Sequence, residues 1–166
     1  MKMTRNITGP VALALGLAAM LGYTFSPSSA HAQDARNRAG RIEGVWHSDV
    51  TIQDCTTGTT LATFQGLGSF IRGGALVQDN NLSPTLGKVA QGKWAFLGGA
   101  HYTASFQFFR FDGMGIWTGT QSVTRDIQLD AEANSFTSVI SSTTYDVNGV
   151  VIATGCGVET ATRVVF

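Results

Sequence analysis

Beyond residues 1–32, which read as a removable leader, two histidines remain, His47 and His101, and they are the natural starting points for acid–base chemistry. On an extended strand, side chains two apart share a face, so His47 stands beside Asp49. A carboxylate that orients an imidazole is what a general base needs. The same parity places the pair opposite Trp46, so an inward Trp46 turns His47 and Asp49 to solvent. His101 opens a strand beside Tyr102, directly after Gly98-Gly99, and is expected near a barrel rim. Two separated histidines do not supply three or four convergent ligands, so no metal site is expected. Arg110, Arg125, Asp126 and Glu159 fall within predicted strands. Arg125 or Glu159 turned into the interior would mark a site, because an unpaired charge there is costly.

The strongest apolar feature is aromatic. Phe106, Phe108, Phe109 and Phe111 follow one another closely, and Trp117 lies opposite Phe111 across a short turn. The alternation breaks at Phe108-Phe109, which implies a bulge or a strand apolar on both faces. The candidate ligand-binding residues are Phe64, Phe70, Trp94, His101, Tyr102, Phe106, Phe109, Phe111 and Trp117. Gly66, Gly68, Ala104 and Gly119 leave room among them. The competing reading is an interior wholly filled by these side chains, as a small barrel permits.

The segments that must position these residues are extended. From Glu43 onward Thr, Val, Ile and Phe dominate, and Gly, Asn and Asp punctuate at fairly regular intervals. The pattern predicts strands over 44–54, 60–72, 75–79, 88–97, 101–111, 116–129, 135–145 and 150–165. Short links between them require antiparallel neighbours, since parallel pairing needs crossovers of a dozen residues or more. The expected fold is all-β, an eight-stranded antiparallel up-and-down meander closed into a barrel, with an open sandwich as the alternative. The longest irregular stretch, 79–87, holds Pro84, the one proline beyond the leader.

The leader itself has a charged start in Lys2 and Arg5, an uncharged run from Val11 to Phe25, and a small-x-small close at Ala30-His31-Ala32. That is the pattern of a cleaved Sec-type signal peptide, and the apolar run is shorter than the ~20 residues of a membrane-spanning helix. The expected organisation is a signal peptide over 1–32, an exposed leader or short helical turn over 33–42, and one barrel domain over 43–166. Export to a periplasmic or extracellular space makes the two cysteines, Cys55 and Cys156, an expected disulfide. Basic and acidic residues number 11 each, and losing Lys2 and Arg5 leaves the remainder slightly acidic, with no basic cluster. Nucleic acid is therefore not an expected partner.

Closure can be tested on the sequence. If the last strand pairs antiparallel with the first, Trp46 meets Arg163 and Cys55 meets Cys156 in nearly the same register. The first pair would stack a guanidinium on an indole, and the second would lock the seam covalently. Gly44-x-Trp46 at the start of the first strand, with Arg163 packing across that Trp from the last, resembles the lipocalin-like (calycin) barrels. Avidin-type barrels are similar in beginning with Gly-x-Trp and in their eight-stranded meander. The resemblance implies a barrel with a cavity and structural roles for Gly44, Trp46 and Arg163, and it implies no particular ligand. The functional expectation is an exported barrel holding a small hydrophobic molecule, without a cofactor and without stable insertion into a membrane. The alternatives are a barrel-type cyclase or isomerase acting on a hydrophobic substrate, a filled interaction barrel, and a small outer-membrane barrel.

Overall fold

The computed structural model describes residues 40–83 and 89–166. The expected signal peptide, the expected leader up to residue 39, and Pro84 with its neighbours lie outside the described residues. Eight strands follow in order: β1 (Gly44–Gln53), β2 (Thr60–Ile71), β3 (Ala75–Asn80), β4 (Ala90–Gly98), β5 (His101–Phe111), β6 (Trp117–Leu129), β7 (Ser135–Tyr145) and β8 (Val151–Arg163). Each pairs antiparallel with the next, and β8 returns to β1, so the sheet is a closed barrel and not an open sandwich. Period-two alternation sets the faces. In β7, Phe136, Ser138 and Ile140 are buried while Thr137, Val139 and Ser141 face solvent.

The β1–β8 seam holds one register, from Trp46 opposite Arg163 to Gln53 opposite Cys156. Cys55 is therefore not a ladder partner of Cys156. It has left β1 and sits in the turn before β2, from which it reaches Cys156 to form the disulfide. At the other end the Arg163 guanidinium lies 4.3 Å from the Trp46 ring centroid. It also donates to three backbone carbonyls, those of Ala133 (2.7 Å), Glu43 (2.6 Å) and Arg41 (2.5 Å). Gly44 makes room for this fork: it has φ +129°, and a Cβ there would meet Arg163 Nη1 at 2.6 Å.

The end of the leader is not exposed. Gly40–Ile42 forms one 3-10 turn, Ile42 is fully buried, and its carbonyl accepts a hydrogen bond from Trp46 Nε1 at 2.8 Å. An apolar residue directly before the first strand is thus drawn in as a plug. Above it Trp46, Phe70, Trp94, Tyr102 and Phe136 pack as a connected aromatic cluster, with centroid separations of 4.9–6.3 Å. This half of the barrel is solid. The opposite end carries the β1–β2, β3–β4, β5–β6 and β7–β8 connections. Two of its turns are held by aspartates: Asp54 accepts from the backbone N–H groups of Thr57 and Thr56, and Asp146 from those of Val150 and Asn148.

Three outcomes are expected from this architecture. Arg163→Lys keeps the charge but cannot span three carbonyls from one planar group, so it loses most of what Arg163→Ala loses, about 2–4 kcal/mol in urea unfolding. Replacing Cys55 and Cys156 together by Ser lowers stability by at most about 4–5 kcal/mol, the chain-entropy value for a loop closed at a separation of 101 residues. The donors from Thr57 and Val150 hold the Asp54 and Asp146 carboxyls below their ordinary 3.8. Their contribution is therefore complete above pH 3.8 and lost as pH falls through the lower folded values. Amide exchange at Thr57 and Val150 should rise in that window relative to exchange in the strands.

Candidate functional site

The barrel is hollow in its disulfide-bearing half. A cavity of about 260 Å³ opens among the turns at that end, walled by Val50 and Ile52 of β1, Phe64 of β2, Phe106 and Phe108 of β5, and Val123 and Ile140 of β6 and β7. Leu82 and Asn80 stand on one side of the mouth, and Gln121, Ser142, Thr144 and Thr154 complete a polar upper wall. Cys156 also lines the cavity, so the disulfide belongs to its wall.

Beneath the cavity lies a belt of buried polar side chains: Ser48, Gln78, Arg125, Ser138 and Glu159. Arg125 and Glu159 are each 2 % exposed, on neighbouring inward positions of β6 and β8 with β7 between them. Arg125 Nε is 3.2 Å from Glu159 Oε2, but the N–H is not aligned for a hydrogen bond. Glu159 Oε2 accepts from Ser138 Oγ at 2.7 Å, while Glu159 Oε1 has no hydrogen-bond partner. The guanidinium carbon sits 4.8 Å from the Phe106 ring centroid. Burial pushes the Arg125 pKa below its ordinary value, and the Glu159 carboxylate opposes that shift. Gln78 reaches inward over the two β2 glycines: a Cβ on Gly66 would meet its Nε2 at 3.2 Å, and one on Gly68 its Oε1 at 3.8 Å. Gln78 Oε1 also has no hydrogen-bond partner. The space that Gly66 and Gly68 vacate is thus occupied by a carboxamide.

The sequence-derived candidates divide by position. Phe64 and Phe106 line the cavity. Phe70, Trp94 and Tyr102 face inward but belong to the solid half, where burial pushes the Tyr102 phenol pKa up. Phe109 and Trp117 were expected inside and stand outside, edge to face on each other at 6.4 Å. The inward parity of β5 runs through Tyr102, Ala104, Phe106 and Phe108, which puts Phe109 on the outer wall. Phe111 is half-buried at the register shift before Trp117 and is not part of the cavity wall. His101 lies at the solid end, not at the mouth, and pairs on the outer face with Asp126. Trp46 points inward, so His47 and Asp49 stand on the outer wall as that parity requires, and Asp49 accepts from Gln65 Nε2 at 3.2 Å. Gly119 opens no space, because a Cβ there would meet the Tyr145 carbonyl at 2.0 Å, and Ala104 lies in the solid core. The residues missed include Gln78, the aliphatic wall of Val50, Ile52, Leu82, Val123 and Ile140, and the polar upper wall. Among the described residues no group of His, Cys, Asp or Glu could hold a metal ion.

Fold and cavity define a class: a small up-and-down barrel with one sealed end, one open end and an ionic belt between them. No protein-family model matches the chain, and no curated protein matches it at a significant level.

The belt makes a sharp energetic test. Removing one partner strands a buried charge, so Arg125→Met should cost about 3–5 kcal/mol, while Arg125→Met with Glu159→Leu should recover most or all of it. Urea midpoints of the two single variants and the double variant measure this directly.

Proposed function

We propose that the protein is an exported, lipocalin-like binding barrel that holds one small, mainly apolar molecule in its hollow half. The observation that carries this reading is the cavity of about 260 Å³ in the half away from the plugged end, walled by Phe64, Phe106, Phe108, Ile52 and Ile140. At roughly 30 Å³ per water-sized volume, it suits a ligand of about ten heavy atoms. The Gly44, Trp46 and Arg163 arrangement supports the lipocalin-like assignment. The leader pattern and the disulfide support export. Asp49, Lys93 and Asp126, all on the outer wall, support a barrel that stays out of lipid hydrocarbon.

A second reading, a cyclase or isomerase for a hydrophobic substrate, is favoured by one feature, the buried Arg125–Glu159–Ser138 array under the cavity. Confinement against fixed charges can itself accelerate such reactions. Conversion of a bound ligand to an isomer, followed by chromatographic retention and NMR, separates the two.

Binding is best followed with an extrinsic hydrophobic fluorophore, since Trp46 and Trp94 lie in the solid half and Trp117 on the outside. The fluorophore should brighten on the processed protein and be displaced by alkyl ligands. Ser142→Phe, which fills the cavity, should weaken its binding at least tenfold with an unchanged far-UV circular dichroism spectrum. A fluorophore bound equally well by Ser142→Phe would place it on the outer wall and remove the basis for a lumen site.

A further inference from the structure

The geometry points to a ligand whose apolar body carries a neutral carbonyl oxygen, a ketone or an aldehyde, which accepts hydrogen bonds from the terminal nitrogens of Arg125 at the cavity floor. The inference rests on the binding reading above and deepens it. Three features of the floor carry it.

The first is a charged donor with nothing to donate to. The Arg125 side chain is 3 % exposed and lines the cavity. Its contacts are the misaligned Nε–Glu159 ion pair and the face of the Phe106 ring. Among the described residues Nη1 and Nη2 have no hydrogen-bond partner. Nε is closed off from all free surface, whereas Nη1 and Nη2 are not. Within a closed barrel, the surface those two atoms keep belongs to the cavity that Arg125 lines. Their N–H groups face the lumen unused.

The second is which unmet atoms are sealed. The acceptors without partners, Gln78 Oε1 and Glu159 Oε1, are both closed to the cavity. A ligand that reaches the floor therefore meets open donors and no open, unmet acceptor. A carbonyl answers that with lone pairs alone. An alcohol also brings a hydroxyl hydrogen, and burying it there without an acceptor costs free energy.

The third is charge. Glu159, with its side chain 0 % exposed, already lies against Arg125. A carboxylate on Nη1 and Nη2 would set a second anion near a first that water does not screen. A neutral acceptor avoids that repulsion and still gains a charge-assisted hydrogen bond. Phe64, Phe108 and Ile52 then accommodate the alkyl part.

The experiment uses the processed protein with four ligands matched at about ten heavy atoms: 2-nonanone, 2-nonanol, decane and octanoate, each displacing the fluorophore at pH 7. The expected result is 2-nonanone tightest, with the other three weaker by about tenfold or more. The infrared carbonyl band of bound 2-nonanone should lie at lower wavenumber than in a hydrocarbon solvent. Arg125→Met with Glu159→Leu should bind 2-nonanone and decane alike and return the band to its hydrocarbon position. Equal affinity for ketone, alcohol and decane on the unmodified protein would overturn the inference while leaving the binding reading intact. Tighter binding of 2-nonanol or octanoate than of 2-nonanone would overturn it too, the latter by making Arg125 an anion anchor. A ketone preference that survives in the double variant would place the carbonyl away from Arg125 and overturn it as well. Failure of all four ligands to displace the fluorophore would remove both readings together. The ligand comparison and the infrared band on the unmodified protein decide the matter even if the double variant does not fold.

Discussion

A meander of eight strands has two free edges until its last strand finds its first, and everything else in this molecule depends on that one pairing. The β1–β8 seam removes the edges that would otherwise template association with another chain. Its strands are fastened at opposite ends by different means. Arg163 works at one end through a stacked indole and three carbonyls, so it ties β8 to the chain before β1 and to the β6–β7 turn at once. The indole contact alone is worth about 0.5–2 kcal/mol; the fork adds direction, since one planar group fixes three segments. The Cys55–Cys156 bond works at the other end, beyond the last ladder pair of β1.

The interior is asymmetric because the seam closes a tube but does not fill it. Eight strands enclose a space that side chains can just occupy, and here large aromatics occupy only half of it. The boundary is the belt of Ser48, Gln78, Arg125, Ser138 and Glu159. A buried ion pair of this kind rarely improves stability over apolar residues of similar volume, and its orphaned atoms make it less favourable still. Such a layer is explained better by what it presents to the cavity than by what it adds to folding. It also keeps the aromatic cluster from extending upward, because Gln78 takes the space over Gly66 and Gly68.

Most of the fold was legible in the sequence for local reasons. Turn residues recur at short spacing, so the strand limits agree with those expected to within two residues at every boundary. The Trp46–Arg163 register was legible because an antiparallel seam keeps a constant residue-number sum and Cys55–Cys156 gives nearly the same one. The site was less legible, and the cause is parity. Phe108 and Phe109 are equally apolar, so composition does not say which faces inward; Tyr102, Ala104 and Phe106 settle it only when β5 is paired. Trp117 does lie opposite Phe111, as a simple turn implies, but the shift at Arg110/Phe111 takes it off the inward parity that Val123, Arg125 and Ile127 hold in β6. Arg125 and Glu159 were visible as charges within strands, but their common inward face depends on two separate strands keeping register across β7. Gln78 gave no signal, since a glutamine in a short strand is usually a surface residue. Ile42 was hidden by its polar neighbours, although an apolar residue just before a strand is a reasonable plug.

The position of the disulfide follows from the same asymmetry. In the solid half, strands are held to one another through a packed interior, and each aromatic contributes buried area on the order of 25 cal/mol per Å². In the hollow half, inward side chains such as Ile52 and Phe64 face a cavity and lose contacts that a packed neighbour would supply. A seam there would rest mainly on its backbone ladder, at the point where β1 ends and its turn begins. Cys55–Cys156 supplies a covalent link at the place where packing has been given up for space, and Cys156 lines the cavity that made the link necessary. The hollow and the crosslink are therefore two parts of one arrangement, in which a barrel stays closed around an interior it does not fill.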